Sequence, residues 1–82
     1  MRILVVEDDR KVASFIRKGL EEEGHAVEVA ADGDEAVERA GDGSAWDLVV
    51  LDVMLPKRDG FSVLKALRSD GLKAPVLMLT AR

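Results

Sequence analysis

Along the 82-residue chain, unbroken apolar runs alternate with stretches whose apolar residues recur every three or four positions. Ile3–Val6 is the first run and reads as a short strand. From about Arg10 to Glu23 the apolar side chains fall at Val12, Phe15, Ile16 and Leu20, which is helical spacing, and Gly24 supplies a stop. His25–Ala30 alternates, with Val27 and Val29 on one face, as a second strand does. Asp32 and Glu35 stand three apart as in a capping box, opening a short helix whose apolar face is Ala36, Val37 and Ala40. Leu48–Leu51 is another unbroken run and suits a strand buried on both faces. A loop around Pro56 follows, then helical spacing at Phe61, Leu64 and Leu67, ending near Gly71. Val76–Leu79, after Pro75, is the last run. Phe15 and Phe61 sit at helix-core spacing and are expected in the core. The order β-α-β-α-β-α-β implies parallel pairing through right-handed crossovers and hence an α/β fold.

Length allows one small domain over residues 1–82, and no repeat, low-complexity tract or linker interrupts it. The hydrophobic fraction of 48% and charged fraction of 34% are those of a globular chain rather than a disordered one. The chain has no cysteine, which rules out a disulfide framework and a thiolate metal site and fits a reducing cytosol. No apolar run approaches the length of a signal-peptide core or a membrane span, so a soluble, cytoplasmic protein without membrane contact is expected. The net charge of −4 and the scattered Lys and Arg residues argue against direct nucleic-acid binding by this segment.

Chemistry enters with the residues that end the apolar runs. The first run ends in Glu7-Asp8-Asp9, the third in Asp52 and the last in Thr80. Parallel strands place all their carboxyl ends along one edge, where ligands of such sheets bind. If the first and third strands are neighbours, Glu7, Asp8 and Asp52 converge. Converging carboxylates repel and need a compensating cation. Oxygen donors without nearby His or Cys favour Mg2+ over a softer metal. A carboxylate beside such an ion can attack phosphorus and form an acyl phosphate, with positioning supplying most of the catalysis. Thr80 offers a hydroxyl at the same edge. Ordinary solubilising acids at strand ends explain the same residues, and the pattern alone leaves both readings open.

The stretches ILVVEDD, LVVLDVMLPKRDG and VLMLTA resemble the receiver domain of two-component response regulators, most of all receivers of winged-helix transcription factors. The resemblance runs from Arg2 to Arg82. It implies a flavodoxin-like fold with helices on both faces of a sheet of order 2-1-3-4. It implies that Asp52 is the phosphoacceptor, that Asp8 binds Mg2+ directly and Glu7 mostly through water, and that Met54 gives its backbone carbonyl to the metal. Thr80 would turn toward the phosphoryl group, and the small Ala81 would leave access to it. Pro56 and Gly60 would support the loop after Asp52, Gly60 by backbone freedom. The phosphate would come from a partner histidine kinase or a small phosphodonor, and the output would pass to a DNA-binding domain outside this chain. Asp9 is then expected to cap the first helix rather than bind metal. Trp46 reads as a packing or boundary residue, and His25, which starts the second strand, is not expected to have a catalytic or metal role.

The family pattern continues into a fifth strand with a functional lysine and two further helices. The present sequence stops short of these, so a fragment of a receiver, lacking the last strand and last two helices, is expected. Val76–Leu79 would then be an open apolar edge, and Val12 or Ile16 would lie uncovered, favouring self-association through the fourth strand or by exchange of elements. Two other classes compete. A haloacid-dehalogenase-like phosphotransferase needs Asp-x-Asp, and the second position here is Met54. A phosphorylation-incompetent folding or assembly fragment is the other.

Overall fold

The computed structural model describes residues 1–41, 45–55 and 58–79. Pro56, Thr80 and Ala81, all given roles by the resemblance, lie outside the described residues. The elements are β1 (Arg2–Val6), α1 (Arg10–Glu22), β2 (Ala26–Ala30), α2 (Gly33–Ala40), β3 (Leu48–Asp52), α3 (Gly60–Ser69) and β4 (Val76–Leu79). The four strands form one parallel sheet, as the alternating pattern predicts, in the order β2-β1-β3-β4 that the resemblance implies.

Side chains of a strand alternate between faces, so an unbroken apolar run requires cover on both sides. Leu4, Val6, Val49 and Leu51 point to one side and pack with Ala36 of α2 and Val63 and Leu67 of α3. Ile3, Val5, Val27 and Val50 point to the other, against Ile16 and Leu20 of α1. Helices thus cover both faces. Trp46 belongs to the larger cluster, with the Arg2 guanidinium 4.3 Å from its ring centroid. His25 Nδ1 lies 3.1 Å from the amino terminus.

Each helix has local reasons to begin and end where it does. Asp9, Asp32 and Asp59 are N-caps in extended backbone conformation, with side chains accepting from first-turn N–H groups. The Asp32 cap accepts from Glu35 N at 2.8 Å, while the Glu35 carboxylate reaches back to the N–H of Ala31 at 3.3 Å. At the far ends of α1 and α3, Gly24 (φ 90°) and Gly71 (φ 95°) take the left-handed conformation that closes a helix. His25 N then donates to Leu20 O at 3.2 Å, and Leu72 N to Leu67 O at 3.0 Å. Glu23 is therefore the cap of α1 rather than its last turn, and His25 precedes β2.

The phenylalanines correct the sequence reading. Phe15 is 81% exposed and Phe61 63% exposed. On α1 the residues turned to the sheet are Ala13, Ile16 and Leu20, and Phe15 shares its side of the helix with the exposed Val12. On α3 the buried line is Gly60, Val63 and Leu67, and Phe61 stands about one helical step of 100° away from Gly60. Helical spacing marked apolar stripes wider than the surface the described neighbours cover.

Candidate metal and phosphoacceptor site

The parallel register builds the site. Val6 pairs with Leu51 across β1 and β3, so the next residues, Glu7 and Asp52, come side by side at the carboxyl edge. Asp8 follows Glu7 in the turn into α1. One carboxylate oxygen from each of Glu7, Asp8 and Asp52 can be chosen so that all three lie within 4.8 Å of one another. Glu7 and Asp52 are buried, at 9% and 8% exposure, whereas Asp8 is open to solvent. The sequence expectation that these three acids converge is thus what the fold produces.

Electrostatics make the cluster costly on its own. The carboxyl of Glu7 is pushed up from 4.5 to about 7, first by burial, then by a hydrogen bond to Asp52 and by the charges of Asp52, Asp8 and Asp9. Every one of these causes except burial is another acid. Glu7 Oε2 is buried and has no hydrogen-bond partner among the described residues. Three carboxylates this close together, one of them with a buried and unpartnered oxygen, fit the donor set of a hard divalent cation.

The surroundings fix the orientation of Asp52. Its Oδ1 accepts the backbone N–H of Met54 at 2.9 Å. The Met54 side chain is 56% exposed, and its hydrogen bond to Asp52 is made by the backbone. Gly60 N donates to Val53 O at 2.8 Å, tying the start of α3 to the residue after Asp52. A β-carbon on Gly60 would stand 2.6 Å from Asp52 O and 2.7 Å from Val53 Cα. Gly60 is the first residue of α3, and its φ is not positive. Its glycine is required for space rather than for backbone freedom, a correction to the sequence reading. Beside the acids, a cavity of about 200 Å³ opens between Val12 and Ile16 of α1 and Val50 and Leu79 of the sheet.

Asp9 turns away from the cluster. Its Oδ1 accepts from Lys11 N at 2.9 Å and Val12 N at 3.1 Å. Replacing Asp9 by Ala is expected to cost about 1 kcal/mol of stability in denaturant unfolding. Mg2+ affinity should stay nearly unchanged, and a large loss of it would contradict the capping role. Sequence reasoning named Met54 only for its carbonyl and overlooked its N–H. It also passed over Asp59, the cap of α3, whose carboxyl is held below the usual range chiefly by the Ser62 N–H. The signal was available in Asp59-Gly60 standing directly before the helical spacing.

Comparison with known proteins agrees with this geometry. Residues 3–82 match the family model of the response regulator receiver domain. The chain belongs to that family. Over all 82 residues it is 55% identical to the transcriptional regulatory protein TcrA of Mycobacterium tuberculosis, covering 32% of that protein. Over 81 residues, 99% of the chain, it is 47% identical to the alkaline phosphatase synthesis transcriptional regulatory protein PhoP of Bacillus subtilis, covering 33% of it. The chain thus spans about a third of the length of these relatives. The receiver domain of the Francisella response regulator 1452 superposes with a TM-score of 0.90 at 41% identity, over 98% of this chain and 65% of that one. TrrA of Thermotoga maritima, solved in complex with Mg(2+)-BeF, superposes with a TM-score of 0.91 at 34% identity, over 99% of this chain and 70% of that one. The fold is that of a receiver, incomplete relative to full receiver domains. Among the described residues, no helix is long and apolar enough to cross a membrane.

Proposed function

We propose that residues 1–82 are the N-terminal part of a receiver domain, in which Asp52 accepts a phosphoryl group from a histidine kinase in a Mg2+-dependent reaction. Phosphorylation would control a transcriptional output carried by a DNA-binding domain outside this chain. The observation that carries the reading is the convergence of Glu7, Asp8 and Asp52 with an unpartnered, buried Glu7 oxygen. Asp8 and Asp52, with Glu7 through water and the Met54 carbonyl, would hold the ion. When bound there, Mg2+ supplies positive charge that offsets the carboxylates and the phosphoryl oxygens. A carboxylate oxygen of Asp52 forms the new bond to phosphorus as the bond from phosphorus to the donor's leaving atom breaks, giving an acyl phosphate. The Met54 N–H keeps the nucleophile oriented. Thr80 would approach the phosphoryl group, with Ala81 leaving it access and Pro56 shaping the loop. Support comes from the family match and from the similarity to transcriptional regulatory proteins.

Incubation with Mg2+ and an acyl phosphate donor, followed by intact mass measurement, tests the reading. One phosphoryl adduct is expected on the parent chain and none on Asp52→Asn. An adduct on both would place the chemistry elsewhere.

The edge strand favours a second reading alongside the first. β4 pairs only with β3 in the described sheet, and Leu77 is 51% exposed on it. An open apolar edge is a template for another strand, so the 82-residue chain is expected to self-associate through β4 or by exchange of elements. Sedimentation should show a mean mass that rises with concentration. A strictly monomeric, cooperatively unfolding chain at high concentration would contradict this. Association without any adduct would leave an assembly fragment that has kept the fold and lost the chemistry.

A further inference from the structure

We infer that Gly33, which does not touch the acidic cluster, is a positioning residue for it, setting through its missing side chain where α3 and the loop after Asp52 sit. The inference rests on the phosphoacceptor reading for its purpose and on packing for its mechanism. Gly33 is the first residue of α2 and is buried. Its φ is not positive, so no backbone conformation calls for glycine there. Alanine favours helix over glycine, so on propensity alone the position is poorly chosen. The space around it supplies the reason. A β-carbon on Gly33 would stand 2.6 Å from Val63 Cγ2 and 3.3 Å from both Cβ and Cδ of Arg58. Val63 is fully buried on α3, and a β-branched side chain in a helix has one strongly preferred rotamer, so it cannot swing clear. Arg58 is held over the same turn, its guanidinium 3.6 Å from the Asp34 carboxylate.

From this seat the contacts run directly to the nucleophile. Val63 and Arg58 flank the first turn of α3, which begins at Gly60. Gly60 lies in backbone contact with Asp52 and Val53 and donates to Val53 O at 2.8 Å. The next N–H along, that of Met54, holds Asp52 Oδ1 at 2.9 Å. A side chain at position 33 must push α3 and Arg58 away from α2. The close approach at Gly60 leaves α3 no room to move toward the sheet, so the shift is passed to the loop that orients Asp52.

The test compares four chains: the parent, Gly33→Ala, Val63→Ala, and the double variant in which the shortened Val63 leaves room for the new methyl. Two quantities are read: the amide resonance of Met54 without metal, and Mg2+ affinity by titration with the metal alone. Gly33→Ala is expected to shift the Met54 resonance and weaken Mg2+ binding about tenfold, the low end of what loss of an outer-shell support costs. The double variant should return both toward the parent, even though the Val63→Ala cavity leaves it less stable than the parent. A Met54 resonance unmoved by Gly33→Ala would overturn the inference. So would a double variant that binds Mg2+ no better than Gly33→Ala, since site quality would then follow stability alone. A parent chain that fails to bind Mg2+ would count against the phosphoacceptor reading, and the Met54 resonance would still decide the role of Gly33.

Discussion

In the absence of metal, the chain is expected to lose stability as the pH rises from about 4.5 to about 7, opposite to the usual behaviour of a paired carboxylate. The folded-state pKa of Glu7 is raised from 4.5 to about 7 by burial, by its hydrogen bond to Asp52 and by the neighbouring acids. Between those values the folded chain holds a proton that the unfolded chain has released, so stability falls with rising pH. The full shift corresponds to roughly 2–3 kcal/mol once solvent screening at the open side of the site is counted. Denaturant unfolding at a series of pH values measures it directly. Glu7→Gln should flatten the dependence and be more stable than the parent at neutral pH without metal. Mg2+ should stabilise the parent most at neutral pH and progressively less as Glu7 protonates. A parent whose metal-free stability rises over this pH window would show that the burial and repulsion at Glu7 have been misjudged.

Gly60→Ala should have an effect of similar size, and its sign is the informative part. Helix propensity alone favours Ala over Gly by about 1 kcal/mol. Against that, the new methyl would meet Asp52 O at 2.6 Å and Val53 Cα at 2.7 Å. These are backbone atoms of the buried last residue of β3 and of the residue after it, and they cannot rotate aside. Overpacking of this kind costs about 1–3 kcal/mol, and immovable partners place it at the upper end. The variant is expected to be about 2 kcal/mol less stable than the parent. It should also bind Mg2+ on the order of tenfold more weakly, because the same shift moves the Asp52 carboxylate. Thermal unfolding and metal titration check the two parts separately. A stabilised variant would mean that α3 can retreat from β3 without cost.

The fold was largely legible because its two central strands, β1 and β3, are buried on both faces. Ile3–Val6 and Leu48–Leu51 must be apolar at every position when α1 packs on one side and α2 and α3 on the other. Alternation with helical spacing then requires parallel crossovers, and parallel strands bring Glu7 and Asp52 to one edge. The Asp9 and Asp32 caps and the two closing glycines were read as local chemistry, and the Asp59 cap carried the same signal but was passed over. What escaped the sequence depends on distances between elements. Periodicity shows that a helix has an apolar stripe, but not which side of it a neighbour reaches, so Phe15 and Phe61 were assigned to a core they do not enter. Gly33 and Gly60 look like ordinary helix-start glycines until the atoms facing them are known. The Met54 N–H could not be anticipated either, since it depends on how the chain turns after β3.

The most direct measurement is the rate of phosphoryl adduct formation as a function of Mg2+ concentration, read by intact mass with an acyl phosphate donor. The central claim is that Glu7, Asp8 and Asp52 form one site in which metal and nucleophile act together. The expected result is a rate that saturates with Mg2+, half-maximal near the Mg2+ concentration that half-fills the site in a titration without donor. An adduct that forms equally well with Mg2+ removed, or that persists in Asp52→Asn, would contradict it.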